Sequence, residues 1–504
     1  MSSREAARRA GLAVWGITLL AGALTLNRDL VGVFYDDGVY ASLGWALGHG
    51  LGYVHPHLPG TPAAVHFPPL YPLVLAPLFG ALSVQTAALA GKVVNVLFAA
   101  SAAGLIAWHA SRCELLGPGT PPWLPGAVVG AAAIAIPVLT LLTTLLSEPL
   151  FALLVAVAVI LADRPPLPER LAPDRATLLA GAAAGLALLT RSLGVAVGAG
   201  IVGYLLLVRR AERRTIWYAV LPVALAAGAW AAWVMRYSRL IDPALRADYG
   251  TYGDILAQSG LGLVSSTLDL ARPLGVLTLG WVPSLAVYYL LGVPALAVGA
   301  YGLILLCSRS AIGLTLVGYL VFLAVWPVAP DRFLWAVLPW IALAWVAGVV
   351  AAWRQPRLRV AAAVLAAALG LGYLRYEVRG FAGRWWALSA RQISDNMDEL
   401  LPWVETLPPS TVLATDEEPL IWLYTRRKAV PLYLYTYRVR GTTPVLPATQ
   451  LAFFERAGVT QVLVTGPGPS AAEVDALLGA APSRLRLVHR WPGGSVAFEV
   501  IRAP

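Results

Sequence analysis

Two adjacent carboxylates, Asp36 and Asp37, sit in the segment Tyr35-Asp36-Asp37-Gly38-Val39-Tyr40, directly after an apolar stretch. A carboxylate is costly inside hydrocarbon, whereas at its edge it can accept a proton or hold a cation. The same pair can also cap the helix that follows. A third acid, Glu148, interrupts the apolar block TLLTTLLSEPLFALL, where it needs a partner or a function unless it only marks a turn. Two arginines stand alone between apolar blocks, Arg191 in LALLTRSLG and Arg332 in PVAPDRFLWAVLP. A guanidinium stays charged and matches phosphate with paired hydrogen bonds, or else it snorkels to headgroups. Four of the six histidines, His49, His55, His57 and His66, lie within 49–66.

Taken as one site, these residues have a definite chemistry. Carboxylates (Asp36, Asp37, Glu148) suit general-base work, and cationic groups (Arg191, Arg332, His66) suit a phosphate-bearing leaving group. Tyr40 and Tyr71 lie in the same stretches and are read as substrate-binding hydroxyls. His55 and His57, with Glu148, are the weak candidates for a divalent metal, although their spacing matches no strong zinc signature. No cofactor is otherwise indicated. There is no Gly-rich phosphate cradle and no Walker lysine, since Lys92 and Lys428 are the only lysines.

The elements that must position this chemistry are membrane helices. The chain has 504 residues, is 58% hydrophobic and only 13% charged, against about 25% charged in soluble proteins. That excludes an ordinary soluble enzyme. The net charge of +10 is almost all arginine, without the basic stripe and interleaved aromatics of a nucleic-acid binder. About eleven spans are expected, near 10–27, 86–108, 126–143, 149–162, 177–190, 194–208, 216–235, 281–306, 311–326, 333–352 and 358–375. Arginines cluster in alternate loops: Arg4/Arg8/Arg9, Arg112, Arg164/Arg170/Arg175, Arg209/Arg210/Arg213/Arg214, Arg309 and Arg354/Arg357/Arg359. The positive-inside pattern then puts the N-terminus, with an uncleaved first helix, in the cytoplasm. The acids fall on the outer face of a plasma (inner) membrane.

Two outer loops are long, 28–85 and 236–280. Val39–Leu47 and Leu70–Leu82 read as helices lying in the interface, and the second loop can form a lid. The chain divides into a membrane domain, 1–383, and an extracytoplasmic α/β domain, 384–504. In the latter, strands are expected near 411–414, 461–464, 484–488 and 495–501, with helices near 389–405, 448–457 and 471–479. Cys113 and Cys307 are expected at the same inner face, without a disulfide or zinc framework.

The order of these features resembles the GT-C membrane glycosyltransferases related to protein O-mannosyltransferases, to aminoarabinose transferases acting on lipid A, and to Rgt-type lipopolysaccharide-core glycosyltransferases. The matching pieces are the acidic pair Asp36-Asp37, HFPPLYPLVLAPLFG after it, Glu148, GLALLTRS (Gly185–Ser192) and RFLWAVLPW. The resemblance covers about 1–350. It implies transfer of a sugar from a polyprenyl-phosphate donor to a hydroxyl of a lipid, glycan or protein acceptor, with inversion. Asp36 is then the general base, Glu148 orients the acceptor or shares a cation, and Arg191, Arg332 and His66 hold the departing phosphate. Many relatives have Glu at the place of Asp37, and often Lys at the places of His66 and Arg191. Two rival classes remain open at this point. A flippase for lipid-linked sugars would carry repeats and mid-membrane charges. A non-catalytic membrane scaffold would not depend on Asp36 and Glu148.

Overall fold

The computed structural model describes residues 3–163, 173–259, 263–438, 441–466 and 468–502. Arg164 and Arg170 of the expected basic loop lie outside the described residues. The fold is mostly helical, with a small sheet near the C-terminus. The helices are α1 (Ser3–Thr25), α2 (Asp36–Gly48), α3 (Leu70–Ala81), α4 (Val84–Arg112), α5 (Leu124–Ala133), α6 (Ile136–Leu142), α7 (Glu148–Asp163), α8 (Pro173–Thr190), α9 (Gly194–Leu207) and α10 (Arg213–Tyr237). After them come α11 (Arg246–Tyr249), α12 (Tyr252–Ser259), α13 (Leu263–Leu279), α14 (Leu285–Arg309), α15 (Ala311–Val325), α16 (Asp331–Trp335), α17 (Leu338–Trp353) and α18 (Arg359–Gly383).

Every segment expected as a span falls on helix. By length and composition, four helices can cross a membrane among the described residues: Val84–Arg112, Arg213–Leu240, Leu285–Arg309 and Arg359–Gly383. The bent pair α5 and α6 makes a fifth if counted as one span. The other expected spans are shorter or more polar helices. The 126–143 segment is not one straight span, because α5 and α6 meet at 61°. Pro137 starts the second helix, and the backbone amide exposed at Ile136 is taken by the buried Glu377 Oε2 of α18 at 3.0 Å. The break matters because residues 143–147 then turn and deliver Glu148 as the first residue of α7.

One end of the bundle is closed by polar contacts among loop residues. Arg309 donates to the Leu115 carbonyl at 2.8 Å, and Arg354 donates to the Pro118 carbonyl. Asp163 at the end of α7 accepts from the Ala311 amide at 2.7 Å and meets His109 at 2.7 Å. Both cysteines are free. Cys113 follows α4, and Cys307 lies two residues before Arg309.

The opposite end carries the acids and the sheet. Here α2 and α3 form a helical hairpin. The sequence places Val39–Leu47 on the membrane interface, but α2 is buried almost all round, from Asp37 to Gly44. Its outer face is covered by the C-terminal unit, so it has no solvent side to make polar. That unit comprises α19 (Leu388–Thr406), β1 (Val412–Thr415), α20 (Glu418–Thr425), β2 (Lys428–Pro431), β3 (Tyr435–Arg438), β4 (Gly441–Pro444), α21 (Pro447–Ala457), β5 (Gln461–Val464), α22 (Pro469–Ala480), β6 (Leu485–Arg490) and β7 (Val496–Val500). Five strands form a mixed sheet in the order β2-β1-β5-β7-β6, with β1 parallel to β2 and β5, and β7 antiparallel to β5 and β6. β3 and β4 form a separate antiparallel hairpin.

Sheet and outer loop share one apolar core that includes Leu43, Tyr53, Leu58, Val430, Leu432 and Phe454. The Ala429 amide of β2 donates to the His57 carbonyl at 3.0 Å, and the Lys428 ammonium donates to the Leu58 carbonyl at 3.1 Å. Trp45 of α2 and Trp422 of α20 meet edge to face at 5.0 Å, and the Arg426 guanidinium lies against both, 4.4 and 4.6 Å from the ring centres. The loop that holds the acids is thus clamped from the sheet side.

Candidate active site

Asp36 is the first residue of α2, and Glu148 is the first of α7. A carboxylate in the first turn of a helix is favoured by the helix dipole, which accounts for the tolerance of acids at these places. Arg191 follows the last residue of α8 in the tight turn to α9. That turn requires Gly194, because a Cβ there would lie 2.2 Å from the Leu188 amide nitrogen. Arg332 lies in α16, a short helix pinned by Tyr319, whose hydroxyl donates to the Phe333 carbonyl at 2.7 Å.

These four residues meet. Arg332 pairs with Asp36 through one terminal nitrogen and with Glu148 through Nε at 2.7 Å. Arg191 pairs with Glu148 at 2.7 Å and donates to Ser147 Oγ at 3.1 Å. Ser147 in turn shares a hydrogen bond of 3.0 Å with Tyr40 Oη. Phe333 lies beneath both guanidinium groups, 4.9 Å from Arg191 and 5.9 Å from Arg332. Exposure divides the cluster in two. The Glu148 and Arg191 side chains are 1% and 7% exposed, whereas those of Asp36 and Arg332 are 21% and 31% exposed. Both guanidinium groups contact the same oxygen, Glu148 Oε1, without an aligned hydrogen bond, so the pairs are held by charge more than by hydrogen-bond geometry.

The remaining expected site residues fall in different surroundings. Asp37 is 1% exposed and turns away from the cluster. Its two oxygens accept from the amides of Gly32 and Phe34, each at 2.9 Å. Burial pushes its carboxyl up, and those two amides oppose the shift. Gly32 has φ 109°, and a Cβ there would lie 2.5 Å from Leu420 Cβ, so the turn that Asp37 ties fits only glycine. Asp37→Asn keeps the shape but removes one acceptor. We expect a stability loss of about 1–3 kcal/mol in thermal unfolding, with donor binding unchanged in the folded fraction.

Tyr71 is fully buried and donates to Asn95 Oδ1 at 3.0 Å. Asn95 then donates to the Thr144 and Leu146 carbonyls at 2.8 and 3.0 Å. Tyr71 therefore holds the turn before Glu148 rather than facing the Asp36–Arg332 opening. His66 is half-buried. Its Nδ1 lies 2.9 Å from the Gly250 carbonyl, and its ring packs on Tyr252 of the 236–280 loop. Burial lowers its pKa, so at neutral pH it is an uncharged neighbour of the site. The 236–280 loop carries α11, α12 and α13.

His55 and His57 do not approach Glu148 as a metal set, and no group of three His, Cys, Asp or Glu suited to a metal occurs among the described residues. Instead they surround Tyr249. His57 Nε2 is 2.9 Å from Tyr249 Oη, which donates to Glu418 of α20 at 2.7 Å. His55 packs edge-on against Tyr249 at 4.7 Å, fully buried, with neither ring nitrogen hydrogen-bonded. Burial lowers the pKa of both rings, that of His55 from 6.5 to about 3. The unfolded chain takes up these protons near 6.5, so stability is complete above that pH and is lost as pH falls from about 6.5 toward 3. Each pH unit in that window removes about 1.4 kcal/mol at His55, and His57 acts in the same direction. His55→Phe keeps the ring and removes the proton site. Its unfolding midpoint should exceed the parent's at pH 5, with the difference shrinking toward pH 8.

Several site residues are absent from the sequence-based set. Ser147 bridges Tyr40 and Arg191, Phe333 supports both arginines, and Tyr252 closes the side beside His66. Lys92 and Asn95 carry a signal in the sequence, as polar residues inside an apolar helix. The Lys92 ammonium, 3% exposed, donates to Asn27 Oδ1 at 2.8 Å and to the Asp29 carbonyl at 2.9 Å, anchoring the chain that leads to Asp36.

No family model and no curated protein matches the sequence. Solved structures do. ArnT from Cupriavidus metallidurans bound to undecaprenyl phosphate is 15% identical and has a TM-score of 0.56, with 98% of each chain covered. The apo state of the same protein gives a TM-score of 0.57 over 97% of each chain, again at 15% identity. The oligosaccharyltransferase AglB from Archaeoglobus fulgidus, in complex with an inhibitory peptide and a dolichol-phosphate, gives 0.52 at 12% identity, over 98% of this chain and 74% of that one. With 97–98% of this chain matched in each case, the chain has the fold shared by ArnT and AglB.

Proposed function

We propose that the protein is an inverting membrane glycosyltransferase that takes a sugar from a polyprenyl-phosphate donor and places it on an acceptor hydroxyl. The supporting observation is the ion-paired chain Asp36–Arg332–Glu148–Arg191, with its exposed half at the opening. Two acids and two guanidinium groups leave the cluster neutral. An incoming phosphate recruits Arg332 away from Asp36, which frees the carboxylate beside the reacting centre. Asp36 then removes the acceptor proton as that oxygen attacks the anomeric carbon. The bond from that carbon to the phosphate oxygen breaks on the opposite face, and the phosphate leaves onto Arg332 with Arg191 behind it. Glu148 is the fixed anion that keeps both guanidinium groups aimed. Asp37, Tyr71 and His66 act as positioning residues in this reading, and Tyr40 holds Ser147 against Arg191.

Beside Glu148, the residues Ala99, Val138, Leu142, Ala152 and Trp335 form an apolar surface against which the first isoprene unit of a donor would lie. The bound undecaprenyl phosphate of ArnT and the dolichol-phosphate of AglB support this donor class. The acceptor is a lipid, glycan or protein. We place the acids on the outer face of the plasma (inner) membrane, with about eleven spans in 1–383, the N-terminus in the cytoplasm and 384–504 outside. Arg309 and Arg354, at the end opposite the acids, support that orientation. The test is consumption of radiolabelled undecaprenyl-phosphate sugars by the purified full chain in vesicles containing membrane lipids and a cell-envelope extract as acceptor source. Transfer of label with inverted configuration is expected. No consumption of any hexosyl or pentosyl donor would refute the reading.

A further inference from the structure

A cavity of about 310 Å³ is walled in part by the segment that leads into Arg332. Its walls come from three separate parts of the chain: Asp269 and Arg272 of α13, the segment 327–331 ending in Asp331, and Tyr437 with Thr442 of the β3–β4 hairpin. Asp331 immediately precedes Arg332 in the chain, and Tyr437 on the opposite wall is within electrostatic reach of Asp36. Its size lies within the range of about 300–1,000 Å³ of small-ligand sites. Asp269, Arg272 and Asp331 in its walls distinguish it from the apolar surface at Glu148.

The hairpin brings a further feature. Tyr435 and Tyr437 alternate along β3 and therefore share a face, and Tyr433 lies in the bend just before that strand. Tyr433 and Tyr435 stack at 5.3 Å and 24°, and Tyr435 and Tyr437 meet edge to face at 5.3 Å. The strip is fixed in place. Tyr435 Oη donates to Asp248 at 2.6 Å, the Tyr437 amide donates to Gln258 Oε1 at 3.0 Å, and Tyr433 Oη lies 3.0 Å from Thr442 Oγ1. All three rings are partly exposed. An aromatic strip leading into a pocket with two carboxylates and a guanidinium matches one chemistry. A sugar ring offers an apolar C–H face to an aromatic ring and a rim of hydroxyls to charged groups.

We propose that this cavity and its tyrosine strip form the acceptor subsite and that the acceptor is a carbohydrate chain, its terminal residue seated between Asp269, Asp331 and Tyr437 and the preceding residues lying along Tyr435 and Tyr433. The proposal rests on the transferase reading for the word acceptor, but it is tested by binding alone. The full chain in lipid nanodiscs is mixed with tri- and tetrasaccharides of hexoses, hexosamines and uronic acids, and contact is read by saturation-transfer difference NMR. Binding of tritiated undecaprenyl phosphate is measured on the same samples. The parent should saturate protons of at least one saccharide. Tyr437→Ala and Asp269→Asn should weaken that contact by about tenfold or more, with undecaprenyl phosphate binding within about twofold of the parent. Tyr437→Phe, which keeps the ring face, should retain it.

If no saccharide binds the parent, or if Asp269→Asn and Tyr437→Ala bind as the parent does, the carbohydrate subsite is wrong. Undecaprenyl phosphate binding without saccharide binding overturns this inference and leaves the transferase reading standing. Loss of both in the parent overturns the two together. If Tyr437→Ala loses undecaprenyl phosphate as well, it has unfolded, and Asp269→Asn decides.

Discussion

Asp36→Asn should leave a folded protein that still binds its donor and transfers sugar about 10²–10⁴-fold more slowly. The amide occupies the same volume and still offers an oxygen to Arg332, so the pairing geometry is kept while the proton acceptor is lost. Asp36 and Arg332 are the exposed half of the cluster, so the substitution touches no buried charge. The measurement is kcat with a labelled polyprenyl-phosphate sugar, together with the Kd for undecaprenyl phosphate, which should not rise because the phosphate no longer displaces a carboxylate from Arg332. The split is the informative part. A structural role for Asp36 would cost stability and donor binding together, whereas a base costs kcat alone. Arg332→Gln should do the reverse, raising the donor Kd, because the phosphate then loses its exposed cation. A variant of Asp36 that turns over at the parent rate would remove the base and, with it, the chemical reading of the cluster.

The members of that cluster were legible in the sequence because a charge among apolar residues must have a partner. Glu148 and Arg191 are separated by 42 intervening residues and each breaks an apolar block, and their pairing at 2.7 Å follows that rule. The order and spacing of the five motifs also carried the fold. What was hidden depended on tertiary partners. Asp37 looks identical to Asp36 in the chain, and only the positions of the Gly32 and Phe34 amides divert it. Tyr71 and His66 share one motif, yet one is tied to Asn95 and the other to Gly250. His55 and His57 read as ligands because nothing local reveals that Tyr249 and Glu418 come to meet them. Short elements were hidden too. α20 and β2 lie in EEPLIWLYTRRKAVP, where eight apolar-rich residues fit either helix or strand. The bend between α5 and α6 has Pro137 as a local signal, but the partner that makes it affordable, Glu377, is 241 residues away.

Removing Glu148 should be the most damaging single change in the protein. Its side chain is 1% exposed and faces Arg191 and Arg332, each at 2.7 Å. Deleting one member of a buried ion pair leaves the other uncompensated and costs about 3–5 kcal/mol. Here Glu148→Ala leaves two guanidinium groups near each other with no anion between them, so the loss should reach at least the upper part of that range. Arg191→Gln should cost less, because Glu148 keeps Arg332. The asymmetry is itself a test of the geometry, read as unfolding midpoints of the full chain in nanodiscs. The double variant Glu148→Ala with Arg191→Gln removes one charge of each sign and should recover much of the stability lost in Glu148→Ala, an interaction energy of about 0.5–3 kcal/mol beyond additivity. Activity should not return with stability, because Arg332 is no longer aimed from behind and Arg191 no longer backs the phosphate. If the two single changes cost the same, or if the double variant is simply additive, Glu148 is not the shared anion of the two arginines. The buried half of the site would then be an ordinary helix-end contact.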